Sequence, residues 1–135
     1  MTAESTLVIV KPDGVRRGLV GEVLRRLEVK GLAIEDLRME TISRATAEEH
    51  YGEHVEKPFF DELVAFITSG PVVLARVTGE SAIPVCRMLM GPTNPVDAPP
   101  GTIRGDFATV ITENIVHGSD SPGSAARELK LFFGE

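Results

Sequence analysis

The apolar residues of this chain recur with two different periods. Leu7 to Val10 is a continuous apolar run that stops at Lys11-Pro12-Asp13-Gly14, which predicts a buried strand followed by a turn. Val15, Leu19, Val23, Leu24 and Leu27 then recur at helical spacing, with charged residues between them, and Gly31 suits the position just past the end of that helix. Leu37-Arg38-Met39-Glu40 alternates and predicts a half-buried strand. Thr46-Ala47-Glu48-Glu49 has the form of a capping box and predicts a short helix starting there. Pro58 to Ser69 predicts another helix, closed by Gly70-Pro71.

Val72 to Val77 is β-branched and apolar and predicts a strand; Ser81 to Met90 predicts a helix that accommodates Pro84 in its first turn. Gly91 to Asp106 holds four prolines and three glycines in sixteen residues. Such a long irregular segment inside a compact domain usually serves function. Phe107 to Thr112 returns to strand character, Asn114 to Asp120 is polar and turn-rich, and Ser124 to Phe133 predicts a closing amphipathic helix. Alternating strands and helices suggest a parallel α/β sheet. Periodicity alone leaves an antiparallel α+β sheet open.

With 135 residues, 42% of them hydrophobic and 25% charged, the chain suits one globular domain. Its formal net charge of -6 argues against general affinity for nucleic acid or anionic membrane, which need a basic surface, but leaves room for a local basic pocket. Cys86 is the only cysteine, so no intramolecular disulfide is available and a reducing compartment is expected. Glu4 stands where a signal peptide needs positive charge, and no apolar run approaches the ~18 residues of a membrane span. A cytoplasmic protein is expected.

His50, Glu53 and His54 spell H-x-x-E-H, an inverted zinc-peptidase pattern. Gly52 weakens the helix that must present both imidazoles, and a third ligand is not evident; two solvated bystander histidines are expected. His117 lies in Asn114-Ile115-Val116-His117-Gly118-Ser119-Asp120. From those residues alone it is equally a turn histidine satisfied by backbone or an accessible imidazole ready for phosphoryl transfer. Ser119 and Asp120 do not make a hydrolase triad, since no G-x-S-x-G elbow occurs. Neither phosphate-binding glycine motif occurs either. Lys11, Arg87, Thr93 and Arg104 are the candidates to converge on a polyphosphate, although each alone reads equally as a surface group.

The stretches Val10-Lys11-Pro12-Asp13-Gly14-Val15, Asn94-Pro95, Pro100-Gly101-Thr102-Ile103-Arg104-Gly105-Asp106-Phe107 and Asn114 to Asp120, in that order and spacing, resemble the signatures of the nucleoside diphosphate kinase family. The resemblance runs from about Leu7 to Phe133. It implies a single-domain α+β, ferredoxin-like fold with a four-stranded antiparallel sheet covered by α-helices, in place of the parallel sheet. It implies that His117 takes the γ-phosphoryl of a nucleoside triphosphate on its δ nitrogen and hands it to a nucleoside diphosphate, in ping-pong order. Lys11 and Asn114 would hold the sugar hydroxyls, and Arg87, Thr93 and Arg104 the outer phosphates. Tyr51 would lie beside His117, Ser119 and Glu128 would position it, and Phe59, Leu63 and Ile111 would sandwich the base. Mg2+ would ride on the nucleotide phosphates with no protein ligand. A homo-oligomer, a hexamer ahead of a tetramer, is implied, with the loop from Pro95 to Gly101 at trimer contacts. A nucleotide-sensing module with an idle histidine is the competing reading, disfavoured because His117, Ser119 and Glu128 are all retained. Phe132, where many members have Trp, Glu113 and Pro84 depart from the family pattern without removing a catalytic group.

Overall fold

A computed structural model of the chain describes residues 3–52 and 55–134. Strand β1 (Ala3–Val10) pairs antiparallel with β3 (Val72–Glu80) on one side and with β4 (Val116–Gly118) on the other; β2 (Ala33–Glu40) pairs antiparallel with β3. The order β2-β3-β1-β4 is that of a ferredoxin-like sheet. The parallel arrangement suggested by alternating strands and helices is therefore wrong for this chain.

Helices cover both faces of this sheet. Val8, Val10, Val73, Ala75 and Val77 face a core built with α2 (Val20–Val29) and α5 (Ala82–Met90). Leu7, Ile9, Val72 and Leu74 face a second core built with α3 (Arg44–His50), α4 (Phe60–Ile67) and α7 (Pro122–Phe133). With both faces covered, the central strands read as unbroken apolar runs, which is the usual signature of a parallel sheet.

Several boundaries differ from expectation. The helix expected from Val15 to Leu27 is two helices, α1 (Pro12–Arg16) and α2, because Gly18 between them takes φ 73°. The third helix begins at Arg44, not at Thr46: Ser43 is its cap, and its hydroxyl accepts from the Thr46 N–H at 3.1 Å. The fourth starts at Phe60, leaving Pro58 and Phe59 in the preceding turn. Phe107 to Thr112 is not a strand. Phe107 ends α6 (Ile103–Phe107), Ile111–Glu113 is a 3₁₀ turn, and the strand lies farther on at Val116–Gly118. The irregular segment before it is ordered by backbone proximity: a Cβ on Gly105 would overlap the Pro99 carbonyl, and the Gly105 N–H instead donates to Thr102 Oγ at 2.9 Å.

Candidate active site

Strand β4 sets Val116, His117 and Gly118 opposite Val10, Ile9 and Val8. Val116 belongs to the core beneath α2 and α5, so the pleat turns His117 to the opposite face, toward α3 and α7. There α7, capped by the Ser121 hydroxyl accepting from the Ser124 N–H, brings Glu128 under the imidazole. His117 Nε2 lies 3.1 Å from Glu128 Oε1, and the Ser119 hydroxyl donates to the same oxygen at 2.5 Å. These bonds and the nearby imidazoles hold the Glu128 carboxyl at a pKa of about 2 against the cost of its burial. An ionised carboxylate only accepts, so Nε2 carries the proton and the lone pair is left on Nδ1.

His50 is not a solvated bystander. It is 4% exposed on the buried face of α3, three residues after the equally buried Ala47. Its ring centroid lies 4.8 Å from that of His117 in an edge-on arrangement and 5.3 Å from Phe132. Burial, then the electrostatic influence of the neighbouring His117 ring, lowers its pKa to about 3, so it is neutral near pH 7. Glu53 and His54 of the H-x-x-E-H pattern lie outside the described residues. The His50, His117 and Glu128 donor atoms lie within 4.8 Å of one another. Donors around a tetrahedral zinc stand only about 3.3 Å apart, and Glu128 Oε1 is already taken up by two hydrogen bonds.

Lining the same cleft as the imidazole, Lys11 Nζ donates to Asn114 Oδ1 at 2.8 Å, and Asn114 Nδ2 donates to the Thr93 carbonyl at 2.9 Å. Burial lowers the Lys11 pKa to about 8, with Asp13 opposing and Arg104 assisting that shift. Arg104 is 5% exposed and donates to three carbonyls, those of Asn114, Gly91 and Val116, at 3.2, 2.8 and 2.6 Å. A guanidinium has five N–H groups, so two remain for an anion. Burial and the neighbouring Arg87 lower its pKa to about 10. Arg87 donates to the Gly118 carbonyl at 2.9 Å. Tyr51 stays a protonated donor, its pKa raised to about 12 by burial and by Glu128.

These groups line one cleft of about 590 Å³, with Phe59, Leu63 and Ile111 among its walls. Phe59 is 42% and Ile111 52% exposed, which leaves apolar surface at the mouth. Of the described residues that the resemblance assigns, only Ser119 is not in the wall; it is 1% exposed, behind Glu128. His50, read as a bystander, lines the cleft, and so does Arg127, which was missed. The sequence carried a signal for His50 in its helical spacing from Ala47, but Arg127 looks like any surface arginine.

The backbone between Asn114 and His117 is strained. Ile115 takes φ 74°, and the Val116 N–H closes a three-residue turn on the Asn114 carbonyl at 2.8 Å. A β-branched residue in the left-handed region costs about 1–3 kcal/mol.

A sequence model described as nucleoside diphosphate kinase matches residues 4–135. The chain belongs to the nucleoside diphosphate kinase family. It is 68% identical over 131 residues to the nucleoside diphosphate kinase of Rubrobacter xylanophilus, covering 97% of this chain and 98% of that one. The structure of the Halobacterium salinarum nucleoside diphosphate kinase in complex with CDP superposes with a TM-score of 0.96 at 49% identity, covering 99% of this chain and 90% of the other. A nucleoside diphosphate kinase family protein from Babesia bovis gives 0.94 at 48% identity, over 96% and 88% of the two chains. Like other nucleoside diphosphate kinases, the chain is a phosphotransferase acting on nucleoside di- and triphosphates.

Proposed function

We propose that His117 is the nucleophile through which this phosphotransferase moves the γ-phosphoryl of a nucleoside triphosphate, chiefly ATP, to a nucleoside diphosphate. The observation that carries the assignment is the bond from His117 Nε2 to the doubly bonded Glu128 carboxylate inside a cleft walled by Lys11, Arg87 and Arg104. The lone pair on Nδ1 forms the N–P bond as the bond from the γ phosphorus to the β,γ-bridging oxygen breaks. The nucleoside diphosphate leaves with that oxygen's electron pair. In the second half-reaction a β-phosphate oxygen of the incoming diphosphate takes the phosphoryl group back from Nδ1, and ping-pong kinetics follow.

Phosphoryl transfer needs positioning and neutralisation of spreading negative charge more than covalent help. Lys11, Arg87 and the two remaining N–H groups of Arg104 supply positive donors, with Thr93 beside them. Lys11 and Asn114 form one hydrogen-bonded pair suited to sugar hydroxyls, and Tyr51 lines the same cleft as the imidazole. Glu128 stabilises the positive charge that His117 gains as the N–P bond forms, and Ser119 fixes the carboxylate. The wall is rich in cationic donors and its Glu128 is already engaged, which fits Mg2+ carried on the nucleotide phosphates, where it would offset phosphate charge. Phe59, with Leu63 and Ile111, offers a base a stacking surface without edge donors, so broad base tolerance is expected.

The chain works as a homo-oligomer, a hexamer in this reading. Leu37 and Met39 on edge strand β2 are 49% and 62% exposed, and Val96, in the segment from Pro95 to Gly101, is 79% exposed. Apolar surface of that kind calls for a partner. No described helix is long and apolar enough to cross a membrane, and the cytoplasm is the proposed compartment. The test of the catalytic reading is His117→Gln: exchange between ATP and a second nucleoside diphosphate falls to background while ADP still binds. Retained exchange would refute the assignment.

A further inference from the structure

Asp13 is one of the few buried charged residues, at 2% exposure, and the reaction described above gives it no part. It sits on α1, two residues after Lys11, and its Oδ2 accepts the N–H of Ile115 at 3.0 Å across 102 residues of sequence. The other oxygen, Oδ1, is buried with no hydrogen-bond partner. A carboxylate buried in that half-satisfied state costs stability, so packing alone does not explain the residue.

Ile115 is the left-handed residue of the tight turn between Asn114 and His117. Such a conformation persists only where its surroundings over-determine it. Here they do so at both polar backbone atoms of Ile115. Asp13 takes the Ile115 N–H, and the Lys11 N–H donates to the Ile115 carbonyl at 2.8 Å. Arg104 holds the carbonyls of Asn114 and Val116 on either side. α1 is pressed against the turn: a Cβ on Gly14 would stand 3.0 Å from Ile115 Cγ2 and 3.2 Å from the Ile115 carbonyl oxygen. Without the Asp13 contact, the Ile115 N–H would be a buried unpaired donor at the centre of a strained turn. The turn would then relax toward negative φ, carrying Asn114 and His117 with it.

We infer that Asp13 is a positioning residue, whose buried carboxylate grips the Ile115 N–H and thereby holds the strained turn that aims Asn114 and His117 into the cleft. The inference rests on His117 being the nucleophile. A second role competes with it, because Asp13 also raises the basicity of Lys11 while Arg104 lowers it. The two separate by substitution. Asn at position 13 keeps an accepting carbonyl oxygen for the Ile115 N–H and loses only the charge; Ala loses both.

The experiment is the single-turnover rate of His117 phosphorylation by ATP across pH for wild type, Asp13→Asn and Asp13→Ala, read on the pH-independent plateau, with ADP affinity measured beside it. Wild-type labelling at His117 is the control: its absence refutes the nucleophile assignment rather than the role of Asp13. The expected result is an Asp13→Asn plateau within threefold of wild type, with its alkaline limb moved to lower pH. Asp13→Ala is expected at least tenfold slower, with ADP affinity within threefold. An unchanged Asp13→Ala plateau, or an Asp13→Asn plateau as low as that of Asp13→Ala, overturns the proposal. If Asp13→Ala does not accumulate as folded protein, Asp13→Asn decides alone through its plateau and the hydrogen exchange of the Ile115 amide. A plateau within threefold and a protected amide support the grip; a tenfold loss or an unprotected amide overturns it.

Discussion

Acid should destabilise this protein through His50 before any carboxylate contributes. The unfolded imidazole takes a proton near pH 6.5, whereas burial against His117, Tyr51 and Phe132 lowers the folded value to about 3. A folded pKa below the unfolded one means that the unfolded state binds more protons between the two, so stability is lost as pH falls below 6.5. From pH 7 to pH 5 the loss is about 2 kcal/mol, at about 1.4 kcal/mol for each pH unit traversed below the unfolded pKa. Glu128 acts in the same direction, but only as pH falls from its unfolded value of 4.5 toward about 2, outside this interval. Lys11, lowered from 10.5 to about 8, changes stability only above pH 8, where stability rises with pH. His50→Phe keeps an aromatic ring among aromatic neighbours and removes the titration. Guanidinium unfolding at fixed protomer concentration, at pH 7 and pH 5, compares wild type with this variant. The variant should lose about 2 kcal/mol less than wild type. Equal losses in the two proteins would refute the assignment of acid sensitivity to His50.

Glu128→Gln keeps an acceptor near His117 Nε2 but removes its charge; a charge-assisted bond contributes about 1.5–3 kcal/mol, so phosphohistidine formation in a rapid-quench assay should slow by about 10- to 100-fold with ADP affinity little changed. Lys11 needs its proton to neutralise phosphate, and its lowered pKa of about 8 places an alkaline limb in kcat/KM near that pH; Lys11→Arg should remove the limb from the pH profile whatever it does to the plateau. Gly105→Ala forces a methyl group onto the Pro99 carbonyl and should destabilise the protein by about 3 kcal/mol, seen as a lower thermal midpoint.

The strand cores were legible because antiparallel strands covered on both faces write continuous apolar runs, though the alternation of strands with helices pointed to the wrong sheet type. The position of β4 was not legible: Phe107 to Thr112 is the more apolar segment, but the capping of α6 by Thr102 and the contacts of the turn at Ile115 decide where pairing resumes. Family resemblance named most of the cleft wall. It did not convey that Arg104 spends three N–H groups on backbone carbonyls, or that a positive φ precedes the strand carrying His117. Those are consequences of packing between segments distant in sequence, and one-dimensional periodicity does not encode them. His50 was misread because a polar residue on a helix was assigned to solvent; its partners come from α7 and β4.

The most direct test of the account is incubation with γ-labelled ATP and magnesium, site mapping of the label, and a chase with an unlabelled nucleoside diphosphate other than ADP. The account predicts an acid-labile, alkali-stable phosphoryl group on Nδ1 of His117 that leaves quantitatively as the new triphosphate. Label on another residue, or exchange that proceeds without any labelled protein, would contradict it.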